Sequence, residues 1–223
     1  MTQKRPVVLC IMDGWGLSDG LEHNAVAQAN TPIFDRMMTE YPTSRLAASE
    51  LAVGLPEGQP GNSEVGHMTI GAGRVILQDL PRLSRACESG ELADAAALQD
   101  FASHLKKTGG RAHLIALTSK GGVHSHSDHV LALAQILCAQ GIAVILHILT
   151  DGRDTPPQDA ANSVPDFISR VPKGCQIASL CGRYFAMDRD NRWERTQSFL
   201  DLVITGCAAH QYAEVMDGIK AGY

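Results

Sequence analysis

The sequence lacks an excess of positive charge. Nineteen Lys and Arg stand against 24 Asp and Glu, a formal net charge of −5 over 223 residues. A general nucleic-acid-binding surface needs the opposite balance, so no nucleic-acid partner is expected; a small anion needs only a few local cations and stays admissible. No apolar run approaches the ~20 residues of a membrane span, so no membrane partner is expected either. The start, MTQKRPVVLCIMDG, is basic and then apolar. Its apolar stretch is too short for a signal-peptide core, and Asp13 stands where a small-residue cleavage site would be needed, which points to a cytoplasmic protein. The CxxC pattern is missing as well. Cys10, Cys87, Cys138, Cys175, Cys181 and Cys207 are scattered, and read as buried free thiols of a reducing compartment rather than as a zinc or disulfide framework. There is no internal repeat and no low-complexity segment. What is present is an ordinary 44% hydrophobic content, which excludes disorder for most of the chain, and length enough for one large or two small domains.

Short apolar runs lie at 6–12 (PVVLCIM), 113–118 (HLIALT), 142–150 (IAVILHILT) and 176–181 (QIASLC). They are continuous rather than alternating, which predicts strands buried on both faces, as in a parallel sheet. Thr31-Pro32 offers a cap and a first-turn proline for a helix carrying Ile33, Phe34, Met37, Met38 and Tyr41. Further helices are predicted over 92–107, ending at Gly109-Gly110, over 128–140 and over 191–204. The span 113–204 therefore reads β-α-β-α-β-α with right-handed crossovers: an α/β fold of parallel-sheet layers with helices on both faces. The segment 53–62 (VGLPEGQPGN) is too rich in Gly, Pro and polar residues for a core. A boundary near 74–79 separates two regions, 1–77 and 78–223.

Polar residues gather where each apolar run ends, the place where open parallel sheets bind ligands. In MDGWG (12–16), Asp13 offers a hard oxygen for a metal, or the cap of a turn. In PGNSEVGH (60–67), Ser63 opens a helix. It is either an N-cap or a nucleophile whose transferred phosphoryl group the helix terminus would stabilise. In GGVHSHSDH (121–129), the H-x-H-x-D-H spacing is that of binuclear zinc hydrolases; the competing reading is that Ser127 or Asp128 caps the next helix. DGRDTPP (151–157) supplies Arg153, a planar fork for phosphate or carboxylate, and Asp154, an acceptor for hydroxyls. After the run at 176–181 come Arg183, Arg189 and Arg192, either a solvated turn paired to Asp188 and Asp190 or a cluster of anion ligands. Together His124, Arg153, Arg183 and Arg189 describe a cationic crevice for a small anion.

MDGWG (12–16), QPGNSEVGHMTIGAGR (59–74), GGVHSH (121–126), DGRDTPP (151–157) and GRYFAMDRDNRWER (182–195), in this order, resemble cofactor-independent (2,3-bisphosphoglycerate-independent) phosphoglycerate mutases of the alkaline phosphatase superfamily. The resemblance runs almost end to end. It implies a glycolytic and gluconeogenic isomerase that interconverts 3-phosphoglycerate and 2-phosphoglycerate. Ser63 would form a phosphoserine intermediate, and Asp13 and Ser63 would ligate one of two manganese ions, with magnesium or cobalt as substitutes. His124, Arg153, Asp154, Arg183 and Arg189 would bind substrate, and no 2,3-bisphosphoglycerate would be required. The complete protein would be a cytoplasmic monomer.

The resemblance also implies a division of labour. Region 1–77 would be the N-terminal segment of a split phosphatase-like metal/nucleophile domain. Region 78–223 would be an inserted transferase domain, incomplete at its C-terminus, with the remaining Asp/His metal ligands, a lysine and two further arginines beyond Tyr223. This chain alone is then expected to be inactive, with weak order or self-association along 6–12. Two alternatives accompany this reading. One is a binuclear zinc hydrolase using His124, His126, Asp128 and His129; the other is a non-catalytic remnant that binds phosphoglycerate weakly or not at all.

Overall fold

The structure is a computed structural model and describes residues 5–18 and 20–223. Residues 1–4, including Lys4 of the basic start on which the leader reading partly rests, lie outside the described residues. The chain divides into two compact units, Met1–Gln78 and Asp79–Tyr223.

The first unit is helical and loosely buried. Its elements are α1 (Ala25–Gln28), α2 (Pro32–Glu40), a 3₁₀ turn (Glu50–Val53) and α3 (Ser63–Ala72). Helix α2 begins at Pro32 as its sequence predicts, but Thr31 makes no side-chain cap bond; its hydroxyl donates to Asp35 Oδ1 at 2.9 Å instead. Its apolar residues find little cover; Phe34 meets Trp15 edge-on, with ring centroids 5.3 Å apart, but Ile33 and Met37 remain exposed. The buried cluster of this unit is Val53, Leu55 and Val65. Two of these belong to the segment expected to lie outside any core. The chain turns tightly after Val53 through Gly54 at φ 82°, where a Cβ would sit 2.0 Å from the Ile76 carbonyl oxygen. That turn tucks Val53 and Leu55 inward.

The strand expected at 6–12 is not formed. Those residues carry no strand pairing, and Val7 and Val8 are 95% and 87% exposed. A strand needs a hydrogen-bonding neighbour, and an apolar sequence does not supply one.

The second unit holds the sheet. Helices α4 (Asp79–Ser89) and α5 (Ala96–Thr108) precede β1 (Ala112–Leu117), and α5 ends on Gly109 in the left-handed conformation. Helix α6 (Ser127–Ala139) leads to β2 (Val144–Thr150), and α7 (Ala160–Ser169) to β3 (Cys175–Gly182). The short α8 (Arg183–Ala186), α9 (Trp193–Leu200) and α10 (Val215–Gly222) complete the unit. The helix expected over 191–204 ends in a π turn at Asp201–Thr205.

The three strands are parallel in the order β1-β2-β3, with helices around them. Register pairs Ala112 with Val144, Leu114 with Leu146 and Ala116 with Ile148, so these side chains share one face. There they pack with Leu105 of α5, Leu137 of α6 and Phe167 of α7. Central strand β2 is buried from Val144 to Leu149 on both faces, as its unbroken apolar run requires. The opposite face carries a polar chain across all three strands: His113 Nδ1 is 3.0 Å from His147 Nε2, and His147 Nδ1 is 2.7 Å from Ser179 Oγ. The cysteines are all unbridged, but Cys10 and Cys207 are exposed rather than buried. No helix among the described residues is long and apolar enough to cross a membrane.

Candidate functional site

Within the first unit, the turn at Asp13 and the start of α3 bring two of the expected residues together. Trp15 N–H donates to the Met12 carbonyl at 3.1 Å, closing the turn that presents Asp13. At the head of α3 the cap is Asn62, whose side-chain oxygen accepts from Val65 N–H at 3.1 Å. Ser63 is therefore not an N-cap. Its hydroxyl donates instead to Asp13 Oδ2 at 2.6 Å. His67, one turn along α3, donates from Nδ1 to the Ser63 carbonyl at 2.8 Å, with Ser63 Oγ 3.2 Å away. The backbone just before Ser63 is tightly held, because a Cβ on Gly61 would lie 1.7 Å from the Ala48 carbonyl oxygen.

Asp13 and Ser63 present two hard oxygens to one point, which suits part of a divalent-cation site. Among the described residues, no group of three or more His, Cys, Asp or Glu side chains is placed to hold a metal. The pair fits as two ligands of a larger set.

In the second unit, the loops after β1, β2 and β3 converge. His124 Nδ1 donates to Asp154 Oδ2 at 2.7 Å. Arg183 Nη1 contacts both Asp151 Oδ1 at 2.7 Å and Asp154 Oδ2 at 3.0 Å. Asp151 Oδ2 accepts from Ser119 Oγ at 2.7 Å. The expected residues His124, Asp154 and Arg183 thus form one hydrogen-bonded cluster. Asp151 and Ser119 were missed as site residues. Asp151 stands first in DGRDTPP, but nothing in its spacing distinguishes it from an ordinary turn aspartate.

Electrostatics follow from this packing. Burial pushes the Asp151 carboxyl upward, but hydrogen bonds from Ser119, the Asp154 N–H, Arg183 and the Arg153 N–H outweigh it and hold Asp151 below the usual carboxylate range. Asp154 is also held low: burial is opposed by His124 and Arg183. For Arg183, burial opposes the charged form, and Asp151 and Asp154 reverse that effect. The cluster is therefore not the purely cationic crevice expected from the arginine count. Arg183 is 13% exposed and balanced by two carboxylates. The uncompensated cations are Arg153 and Arg189, which are exposed and make no ion pair among the described residues.

The turn at 188–195 divides its arginines further. Arg195 Nη1 lies 2.9 Å from Asp188 Oδ1, and its guanidinium carbon sits 3.8 Å from the centroid of the Tyr184 ring. Burial pushes the Asp188 carboxyl up, but the N–H groups of Arg192 and Asp190 and the Arg195 side chain bring it below the usual range.

The H-x-H-x-D-H segment is dispersed among separate partners. His126 caps α6, accepting from Asp128 N–H at 3.3 Å, a role expected of Ser127 or Asp128. Asp128 pairs with Arg170 at 2.7 Å, and His129 Nε2 contacts Ser84 Oγ at 2.9 Å. His124 is bound to Asp154; His126 and Asp128 stay 3.7 Å apart and the His126 and His129 rings 5.4 Å apart, but Asp128 and His129 each take a partner outside the segment, so the four do not converge on one point.

Comparison with known proteins places relatives of this chain in one family. The family described as "BPG-independent PGAM N-terminus" matches residues 83–223. A 2,3-bisphosphoglycerate-independent phosphoglycerate mutase from Ruegeria pomeroyi is 50% identical over 206 residues, covering 92% of this chain and 41% of its own. One from Rhodopseudomonas palustris is 48% identical over 225 residues, covering 100% of this chain and 45% of its own. Among solved structures, Leishmania mexicana phosphoglycerate mutase, crystallised at low cobalt concentration, superimposes with a TM-score of 0.66 at 32% identity, over 95% of this chain and 40% of that one. The chain spans less than half the length of these relatives.

Proposed function

The chain belongs to the 2,3-bisphosphoglycerate-independent phosphoglycerate mutase family, and on that premise we propose that it carries the serine nucleophile and the phosphoglycerate-holding groups of the 3-phosphoglycerate/2-phosphoglycerate interconversion. The observation supporting this most strongly is the convergence of His124, Asp154 and Arg183 from the loops that follow three consecutive parallel strands.

In the second unit, Asp154 takes the Nδ1 proton of His124 as a hydrogen bond. That fixes the tautomer and leaves Nε2 to meet a substrate oxygen. Arg183 offers its remaining N–H groups to carboxylate or phosphate, and the exposed Arg153 and Arg189 add net positive charge.

In the first unit, the Ser63 proton lies on the 2.6 Å path to Asp13 Oδ2, so the carboxylate withdraws it as Oγ becomes a nucleophile. The Oγ–P bond forms while the glycerate O–P bond breaks, and the proton removed from Ser63 ends on the departing oxygen, giving phosphoserine and free glycerate. The reverse transfer to the other glycerate hydroxyl regenerates Ser63. A divalent cation, manganese by family resemblance, would be held partly by Asp13 and Ser63 and would supply charge for the phosphoryl oxygens and a lowered serine pKa. Two oxygen ligands do not make a dinuclear site, so the isolated chain is expected to bind phosphoglycerate without turning it over. Cytoplasmic residence and a monomeric complete protein are part of the same proposal.

Calorimetry tests the binding part: 3-phosphoglycerate binds the wild-type chain, and Arg183→Ala weakens it at least tenfold. Equal affinity of the two would remove the assignment of this cluster. Steady conversion of 3- to 2-phosphoglycerate by the chain, abolished by Ser63→Ala, would overturn the expectation that it is inactive alone.

A further inference from the structure

We infer that Asp151, supported by Ser119, is a positioning residue: it holds Arg183 and the Arg153–Asp154 turn in the arrangement that receives the phosphoglycerate. The inference rests on the reading of the second unit as a phosphoglycerate site.

Three loops meet on this one carboxylate. Oδ1 accepts from Arg183 Nη1 at 2.7 Å, from Asp154 N–H at 3.0 Å and from Arg153 N–H at 3.1 Å. Oδ2 accepts from Ser119 Oγ at 2.7 Å. The Asp151 side chain is 2% exposed and Ser119 1% exposed, so water does not substitute for these bonds. Ser119 is itself anchored, since its carbonyl accepts from Ser127 N–H at the start of α6 at 3.0 Å. The loop after β1 also presses directly on this turn: a Cβ on Gly121 would lie 2.9 Å from Asp154 Cβ.

A carboxylate beside an anion site is electrostatically adverse. A bare charge argument says that removing it should tighten phosphoglycerate binding. Positioning makes the opposite statement. Without Asp151, Arg183 keeps only Asp154 as a partner, and two turn N–H groups lose their acceptor, so the anion gains charge but loses the arrangement that receives it. The sign of the change separates the two.

The test uses the full chain and 3-phosphoglycerate as the probe, with Asp151→Asn, Ser119→Ala and Arg183→Ala beside wild type. Asp151→Asn conserves shape and is expected to weaken binding by about ten- to a hundredfold, the scale of a lost charge-assisted hydrogen bond. Ser119→Ala, the variant to rely on if Asp151→Asn does not fold, should weaken it several-fold. Unchanged or tighter binding by a folded variant overturns the inference. A second readout needs no ligand. The Arg183 side-chain N–H resonance, assigned by its loss in Arg183→Ala, should move or broaden in Asp151→Asn; an unmoved resonance also overturns the inference. If the wild-type chain fails to bind 3-phosphoglycerate, the functional reading falls, and the Arg183 resonance still decides whether Asp151 holds that arginine.

Discussion

Val7, Val8 and Leu9 of the first unit are 95%, 87% and 69% exposed, whereas Val144, Leu146 and Ile148 of the second are at most 1% exposed. The side chains are nearly the same; their neighbours differ. In the second unit β2 has a parallel partner on each side and helices packed against the sheet, so each buried aliphatic side chain contributes about 1.5–3 kcal/mol. In the first unit helices α2 and α3 form from their own backbone bonds, with Asn62 capping α3, but 6–12 has no strand to pair with among the described residues and gains little from being apolar. Helices can be local; strands are tertiary objects.

The largest expected effect that would test this contrast is a core truncation. Phe167→Ala in the second unit should destabilise it by about 3–5 kcal/mol in denaturant unfolding. A loss below 1 kcal/mol would mean that the cluster around β2 is not the core. Hydrogen exchange should separate the apolar runs nearly as strongly. Amides within 145–149 are expected to exchange about a thousandfold or more slowly than those within 7–11. Comparable protection in the two segments would show that 6–12 finds a strand partner.

A smaller effect concerns pH. Burial and the neighbouring His113 depress His147 below 6.5, and burial and the neighbouring His126 outweigh Asp128 to depress His129 in the same way. A histidine depressed in the folded state takes up its proton more readily when unfolded. Its stabilising contribution is therefore complete above 6.5 and is lost as pH falls from there through the folded value. Urea midpoints of the second unit should drop between pH 7 and pH 5, and His147→Gln should flatten that limb. A pH-independent midpoint in this range would contradict the buried arrangement. Asp151, Asp154 and Asp188 act lower, losing their contribution as pH falls below 3.8. The smallest effect is expected at the exposed run, where Val8→Thr should stay within about 0.5 kcal/mol of wild type. A loss of 2 kcal/mol there would mean that Val8 is covered in solution.

Much of the second unit was legible because its signals are local and redundant. Continuous apolar runs marked β1, β2 and β3 to within about two residues, and glycines marked where α5 stops. The candidate residues were legible where chemistry follows strand ends, as with His124, Asp154 and Arg183. Asp151 was not, because its importance comes from Ser119 and Arg183, each 32 residues away in sequence. The arginines were legible as a group but not individually. Arg183 and Arg195 are enclosed by carboxylates, and Arg153 and Arg189 are left exposed.

Sequence alone determined the α/β class, the order of elements over 112–182 and the loops after the strands where polar side chains gather, because backbone periodicity and turn chemistry act over a few residues. Tertiary structure decided three further matters. It decided that Asn62 rather than Ser63 caps α3, leaving the serine hydroxyl for Asp13. It decided that the H-x-H-x-D-H histidines go to separate partners. It decided that an apolar run at 6–12 is not a strand while one at 144–150 is. In each case the outcome depends on which distant group completes a hydrogen bond or covers an apolar surface, and spacing along the chain does not carry that information.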